Sequence, residues 1–207
     1  MLGVVIPARN EEKNIGSVIS ALLSMGTLRK DIFLIDSLST DKTASIAKSL
    51  NINVVSAKKI GYQAALSDGL EALVENGYSE FLIVDGDDEI SHNAIKFFLN
   101  ISQYHSKLNV GVRPRAKRFG ETLVNYFFYY RYGVKDILCG IKRGSLELFN
   151  PNNSLEYGLD LFHNTFFLDQ VSNIPIEVTL RDESRLGGTF AVNIDLIKNL
   201  AKFIIRK

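Results

Sequence analysis

Short apolar runs alternate with longer amphipathic segments over the first half of the chain. The apolar runs predict β-strands at residues 4–6, 31–35, 53–56, 81–84 and 109–112. Between them, apolar residues recur every three or four positions, which predicts helices at residues 13–25, 40–50, 61–75 and 94–101. Strands that alternate with helices are typical of a βαβ layer, in which the strands run parallel. The pattern therefore predicts an α/β fold with a mostly parallel central sheet flanked by helices.

The alternation becomes less regular after residue 112. An aromatic and basic stretch comes first, and weaker strand and helix signals follow as far as residue 177. Residues 189–207 again show a helical period, with one polar stripe that is rich in lysine and arginine. We expect a single domain over residues 1–188 and an amphipathic helix over 189–207. This helix either binds an anionic membrane surface or packs against its own domain.

Length and composition limit the classes of protein that this chain can represent. Its 207 residues, 46% of them hydrophobic, suit one well-buried domain. A formal net charge of +1 gives no general attraction to nucleic acid, and the lone Cys139 excludes a disulfide framework or a cysteine metal cluster. Neither a secretion signal nor a run of the ~18 apolar residues that a membrane span needs is found. We expect a cytoplasmic protein without a nucleic-acid partner; if it meets a membrane, it does so peripherally, on the cytoplasmic face.

Three of the predicted strands end in polar turns. The turns read PARNEE at residues 7–12, DSLSTD at 36–41 and DGDD at 85–88. Because Asp and Gly are common in ordinary turns, each turn alone is a weak functional signal. Ligands of open α/β sheets bind beyond the carboxyl ends of the strands, however, and all three turns lie at such ends. We therefore expect the three turns to meet in one site.

The third of these turns carries two carboxylates on either side of Gly86. Asp85 and Asp87 can present both to one divalent cation, and Mg²⁺ and Mn²⁺ prefer oxygen ligands together with substrate phosphates. A metal held there would neutralise a diphosphate leaving group. The chain has no Walker-type phosphate loop and no Gly-x-Gly-x-x-Gly turn after the first strand, which argues against a nucleotide hydrolase or a dehydrogenase.

Four segments resemble, in their order and spacing, the motifs of family 2 glycosyltransferases with the GT-A fold. They are VVIPARNEE at residues 4–12, DSLSTDKT at 36–43, GYQAAL at 61–66 and DGD at 85–87. The resemblance implies a nucleotide-sugar site whose diphosphate and metal are held by Asp85 and Asp87.

The same resemblance assigns the rest of the donor site. The residues that it places near the base and ribose are Pro7, Arg9, Glu11, Asp36 and Gln63. Two positions depart from the usual pattern, because Leu38 stands where the family commonly has glycine and Gln63 stands where a second glycine is frequent.

The second half of the chain resembles the branch of this family that glycosylates polyprenyl (dolichyl) phosphate. The segments that carry the resemblance are residues 111–113, 136–142, 174–178 and 183–186. It implies a donor of the GDP-mannose or UDP-glucose type and a lipid-phosphate acceptor. The basic residues of 113–118 could hold this phosphate while the rings of 126–132 lie at a bilayer interface. A solvated charge run followed by a core helix explains the same stretch equally well.

The predicted reaction is an inverting displacement at the anomeric carbon of the sugar, with Asp87 on the metal. A phosphate acceptor is already anionic near neutral pH, so Arg113, Arg131 or Arg185 would only have to position it. A hydroxyl acceptor needs a general base, for which Asp160 is the candidate.

Three other functions stay open at this point. The first is a soluble family 2 enzyme that acts on a hydroxyl of a small molecule or glycan. The second is nucleotidyl transfer onto a sugar phosphate, although the glycine-free first turn lacks the loop that such enzymes use. The third is a nucleotide-sugar-binding module without catalytic activity.

Overall fold

The computed structural model describes residues 1–101, 107–114, 119–149, 170–179 and 189–205. Its strands and helices alternate along most of the chain. They are β1 (Leu2–Ala8), α1 (Ile15–Ser24), β2 (Ile32–Asp36), α2 (Thr43–Ser49), β3 (Asn53–Ser56), α3 (Tyr62–Glu75), β4 (Glu80–Val84), α4 (His92–Asn100), β5 (Leu108–Val112), α5 (Phe119–Tyr132), β6 (Ile141–Ser145), β7 (Val171–Pro175) and α6 (Thr189–Ile205).

The strands form one seven-stranded sheet in the order β3-β2-β1-β4-β6-β5-β7. Strands β1 to β4 run parallel, with Val5 aligned to Phe33 on one side and to Ile83 on the other. Strand β6 is antiparallel to both of its neighbours, whereas β5 and β7 are parallel to each other. The prediction of a mostly parallel α/β sheet is therefore confirmed. Because β2, β1 and β4 are adjacent and parallel, their carboxyl ends lie side by side at one edge of the sheet.

Helices cover both faces of this sheet, which explains why its strands are almost continuously apolar. Successive residues of β4 point to opposite faces, so Ile83 packs into one core cluster and Leu82 into the other. The first cluster includes apolar residues of α3 and α5, and the second includes those of α1 and α4. Each fully buried Leu, Ile or Phe contributes about 1.5–3 kcal/mol. Packing on two faces thus fixes the strand tips from which the polar turns emerge.

Helix α6 packs against its own domain, one of the two arrangements expected from its sequence. The side-chain oxygen of Asn193 accepts a hydrogen bond of 2.8 Å from the amide of Gly120 in α5. Leu196 and Leu200 lie against the first core cluster. No helix within the described residues has the length and apolar character needed to cross a membrane.

Candidate active site

A cleft of about 310 Å³ opens where β1, β2 and β4 end. Turns after these three strands and the first residues of α3 form its walls. The lining residues are Pro7, Ala8, Arg9, Glu11, Ser37, Gly61, Tyr62, Ala65, Asp85, Gly86 and Asp87. The volume falls at the lower end of the range that ligand clefts occupy. The three polar turns therefore meet in one cavity.

Gly86 allows the turn after β4 to lie directly on the end of β1. A Cβ at this position would lie 3.0 Å from the Cβ of Ala8 and 3.3 Å from the carbonyl oxygen of Pro7. The amide of Gly86 also approaches this carbonyl, at 3.3 Å. Glycine thus suits the close packing of this turn on β1, and Asp85 and Asp87 on either side of it line the cleft.

Asp85 lies at the floor of the cleft, partly buried. Its Oδ1 accepts a hydrogen bond of 2.8 Å from the hydroxyl of Tyr62, and its amide donates to the carbonyl oxygen of Gly140 at 3.0 Å. Burial and the neighbouring charge of Asp87 raise the pKa of Asp85 to about 7, although the Tyr62 hydroxyl and the charge of Lys142 oppose this rise. The pKa of Tyr62 is raised well above its ordinary value by burial and by the charge of Asp85, so its hydroxyl stays a donor at neutral pH.

The two aspartates have the chemistry of a divalent-metal site. Asp87 also accepts a hydrogen bond of 3.1 Å from the amide of Glu89, which orients its carboxylate. Among the described residues, no group of three or more His, Cys, Asp or Glu side chains is placed to hold a metal. Asp85 and Asp87 would therefore supply two ligands, and substrate phosphates and water the rest, as is usual for Mg²⁺. A cation between them would also relieve the repulsion that raises the pKa of Asp85.

The other end of the cleft is built by two turns that brace each other. The amide of Glu11 donates to Thr43 Oγ1 at 2.7 Å, and the side-chain oxygen of Asn10 accepts from the amide of Thr40 at 2.9 Å. Asn10 adopts a left-handed backbone conformation with φ of 56°, which asparagine tolerates better than most residues. This bracing holds the residues that follow β1 in a fixed position beside the second turn.

The structure brings most of the predicted donor residues together, but not all of them. Asp36 is buried beneath the cleft and accepts a hydrogen bond of 3.2 Å from the amide of Ser39, while its neighbour Ser37 lines the cavity. Gln63 is not among the lining residues, whereas Tyr62 is. Sequence reasoning did not select Ser37 or Tyr62, although both belong to the quoted motifs.

The two predicted acceptor residues that the structure describes, Arg113 and Arg131, are not among the residues that line the cleft. Arg113 is engaged by Asp136 through two hydrogen bonds, from Nε at 2.8 Å and from Nη2 at 2.9 Å, and it also approaches Glu121 at 3.4 Å. Hydrogen bonding to Asp136 raises the pKa of Arg113 against the opposing effect of burial. Arg131 is exposed and lies over the ring of Tyr132, 5.4 Å from its centre. Asp160 and Arg185 fall outside the described residues, as do Arg115, Lys117 and Arg118.

The chain is similar in fold to glucosyl-3-phosphoglycerate synthase from Mycobacterium tuberculosis, of which several crystal structures match. One structure of this enzyme is 21% identical and has a TM-score of 0.76, over 98% of this chain and 80% of that chain. Its complex with UDP is 20% identical, with a TM-score of 0.76, over 98% and 79% of the two chains. The complex with Mn²⁺, UDP-glucose and phosphoglyceric acid is 19% identical, with a TM-score of 0.75 and the same coverage as the UDP complex. No curated protein matches the chain.

A sequence model of the family described as Glycosyl transferase family 2 matches residues 3–150. The match spans the three strand-end turns, the start of α3 and the whole wall of the cleft. The resemblance to the polyprenyl-phosphate branch stays a prediction, because none of these comparisons tests it. Since the family match covers well over half of the 207 residues, and the fold is that of GT-A enzymes, the chain belongs to glycosyltransferase family 2, the nucleotide-sugar-dependent glycosyltransferases.

Proposed function

We propose that this chain is an inverting, metal-dependent hexosyltransferase that moves a sugar from a nucleoside diphosphate to polyprenyl phosphate. The observation that carries the proposal is the position of Asp85 and Asp87, which line the same cleft as Pro7, Arg9 and Glu11. A nucleotide sugar presents a base and ribose at one end and a diphosphate at the other. The cleft has polar groups for the base and ribose at the β1 end. At the β4 end it has two carboxylates that can hold a metal ion for the diphosphate.

Mg²⁺ or Mn²⁺ bound by these carboxylates would supply positive charge for the departing diphosphate. The protein contributes by holding the two metal-binding carboxylates in fixed positions. The hydroxyl of Tyr62 fixes Asp85 from one side, and the amide of Glu89 fixes Asp87. Since both carboxylates are oriented before the donor arrives, little reorganisation is needed when it binds.

The exposed face of α5 supports a lipid-phosphate acceptor. Phe119, Leu123, Tyr126 and Tyr130 are spaced by four, three and four residues, so they lie on one side of the helix. Their exposures are 68%, 39%, 70% and 81%, respectively. A contiguous apolar stripe of this kind is uncommon on a monomer surface, and Tyr and Phe are favoured where a protein meets the bilayer interface. We name these four residues the α5 stripe.

Helix α6, which packs on α5, also carries exposed apolar side chains. Its Ile197 and Ile204 are exposed and seven residues apart, and Lys198 is an exposed cation beside them. Exposed aliphatic side chains next to lysine suit the surface of a membrane that contains anionic lipids. A membrane in contact with these helices would bring a lipid-linked phosphate to the surface of the protein.

A second candidate acceptor is a small phosphorylated metabolite of the phosphoglycerate type. It is favoured by the similarity to glucosyl-3-phosphoglycerate synthase, one structure of which contains Mn²⁺, UDP-glucose and phosphoglyceric acid. At 19% identity this similarity carries the fold alone, so it does not choose the acceptor. Both candidates share an anionic phosphate, and they differ in whether a membrane is involved.

The test is a transfer assay with Mn²⁺, radiolabelled UDP-glucose or GDP-mannose, and two acceptors. Polyprenyl phosphate is supplied in anionic vesicles, and 3-phosphoglycerate is supplied in solution. We expect metal-dependent label in the lipid fraction, and we expect its loss in Asp87→Asn. Label in phosphoglycerate alone would replace the lipid acceptor with the small one. No transfer to either acceptor from either donor would contradict the proposed activity.

A further inference from the structure

The carboxylate of Asp85 is supported from behind by the turn that leads into β6. Strands β4 and β6 are antiparallel, with Val84 opposite Ile141, so the next pair along is Asp85 and Gly140. The amide of Asp85 donates to the carbonyl oxygen of Gly140 at 3.0 Å. The backbone of Gly140 therefore forms the wall against which Asp85 rests.

Gly140 is needed for space. A Cβ at this position would lie 2.2 Å from Oδ2 of Asp85, 2.5 Å from its Cγ and 2.9 Å from its Cβ. All three distances are shorter than any stable contact between such atoms. The φ angle of Gly140 is not among the positive values in the described residues, so any L-residue could adopt its backbone conformation. A side chain at residue 140 would therefore collide with the Asp85 carboxylate. The absence of a Cβ in Gly140 leaves room for this carboxylate.

Lys142 stabilises the backbone on the other side of Gly140. Its side chain is only 2% exposed, and its Nζ donates to the carbonyl oxygen of Cys139. The amide of Cys139 in turn donates to the carbonyl oxygen of Asp136 at 3.2 Å, and the side chain of Asp136 holds Arg113. The turn is therefore tied to the buried Lys142 and to the partly buried Arg113.

A buried ammonium group is costly unless charges nearby compensate it. Within the described residues Lys142 has no carboxylate in ion-pair distance, and the anions that attract it most among acidic residues are Asp85 and Asp136. Its charge acts in return on Asp85, favouring the ionised carboxylate. Burial lowers the pKa of Lys142 against these attractions, so its place is fixed by the hydrogen bond to Cys139 rather than by an ion pair.

We infer that Gly140 and Lys142 are positioning residues for the donor site: Gly140 gives the Asp85 carboxylate its place, and Lys142 fixes the turn that carries Gly140. Neither residue lines the cleft, so both act through Asp85. The inference rests on the proposed function, because it assumes that Asp85 holds the metal and diphosphate. Outer residues that orient metal ligands typically change metal affinity by about 10- to 100-fold when they are replaced.

The first test compares Gly140→Ala, in the turn before β6, with Gly144→Ala within that strand. A Cβ at Gly144 would meet Phe81 Cζ and the carbonyl oxygen of Lys107, each at 2.9 Å, so both variants crowd a packed position. Gly144 lies opposite Phe81, at the other end of the β4–β6 pair from Asp85. Binding of Mn²⁺ together with GDP or UDP is measured by calorimetry on the full chain. We expect binding to weaken by about tenfold or more in Gly140→Ala, and to stay at the wild-type value in Gly144→Ala.

The second test separates positioning from stability through Lys142→Met and Lys142→Arg. Methionine removes the buried ammonium group, whose desolvation is costly, and keeps a similar side-chain volume. We expect Lys142→Met to bind Mn²⁺ with GDP or UDP about tenfold more weakly than the wild type does. Its unfolding temperature should not fall below that of Gly144→Ala. Lys142→Arg restores the charge and should recover part of the affinity, which a purely structural role would not require.

The outcomes distinguish this inference from the proposed function. Wild-type affinity in both Gly140→Ala and Lys142→Met would overturn the inference alone. If the wild-type chain binds neither nucleotide with Mn²⁺, the proposed donor site fails and the inference fails with it. Should Gly140→Ala not fold, the paired Lys142 variants still decide the question.

Discussion

At the scale of single residues, the ionisation of Asp85 couples the stability of the protein to pH. Its pKa in the folded protein is about 7, against an ordinary value of 3.8. A group whose pKa is raised by folding binds its proton more tightly in the native state. The native state is therefore favoured by this group at low pH, and it loses that contribution as pH rises from about 4 through 7.

The variant Asp85→Asn removes this titration and keeps an oxygen that can accept from Tyr62. In metal-free buffer we expect the variant to be more stable than the wild type at pH 8, with the difference shrinking towards pH 5. The difference in stability between the two proteins is measured by urea unfolding at both pH values. Addition of Mn²⁺ with GDP or UDP should reverse the order at pH 8, because only the wild type gains from the metal. A pH-independent difference would show that Asp85 does not titrate in this range.

The hydroxyl of Tyr62 provides a second prediction at this scale. Tyr62→Phe removes the 2.8 Å hydrogen bond to Asp85 and leaves the ring in place. We expect about tenfold weaker binding of Mn²⁺ with GDP or UDP, because the carboxylate loses its orienting donor. Tyr78→Phe is the matched control, since Tyr78 donates to Asp31 at the same distance of 2.8 Å and does not line the cleft. Equal affinity losses in the two variants would count against a specific role.

Individual residues of the site differ in how far the sequence could predict them. The meeting of Asp85 and Asp87 with the turn after β1 was predictable, because parallel neighbouring strands carry their ends to one edge. The contact between Tyr62 and Asp85 depends on where α3 begins and on how this helix packs relative to β4. No local sequence pattern predicts that packing. The close fit of Gly140 against Asp85 is likewise a contact between segments 55 residues apart.

At the scale of elements, the helices and strands of the first half follow their hydrophobic period closely. The predicted helix at residues 61–75 corresponds to Tyr62–Glu75, and the strand at 81–84 to Glu80–Val84. Strand β6 was not placed individually, because its sequence IKRGS contains two cations and little apolar character. Lys142 and Arg143 are nevertheless buried, and Arg143 is held by Glu80 and by carbonyl groups of α4. Only these long-range partners make the strand possible.

Helix α5 divides its aromatic side chains between the core and the surface. Val124, Phe128 and Tyr132 are buried in the core, as expected of a core helix, whereas the α5 stripe is exposed on the opposite side. The helix therefore has a buried apolar face and an outer face that also carries large apolar and aromatic side chains. This division could not be assigned from the run of rings alone, since aromatic residues occupy both sides.

The membrane prediction belongs to this helix. We expect the double variant Tyr126→Ser/Tyr130→Ser to sediment with anionic vesicles about tenfold less than the wild type, because two large rings no longer enter the interface. Phe97→Ser is the control, since Phe97 is 53% exposed on α4, which packs on the opposite face of the sheet. Equal sedimentation of all three proteins would remove the support for a lipid acceptor.

At the scale of the whole molecule, donor binding should appear as global stabilisation. A ligand that binds only the native state adds about 2.7 kcal/mol when its concentration is 100 times its dissociation constant. For a chain of 207 residues this corresponds to a rise in unfolding temperature of about 5–10 °C. We expect this rise with Mn²⁺ plus either GDP or UDP, and the nucleotide that produces it identifies the base. EDTA should abolish the shift, and Asp87→Asn should show none, because the cation links the diphosphate to the protein. A shift of the same size in EDTA would mean that the nucleotide binds without the metal, which contradicts the assigned role of Asp85 and Asp87.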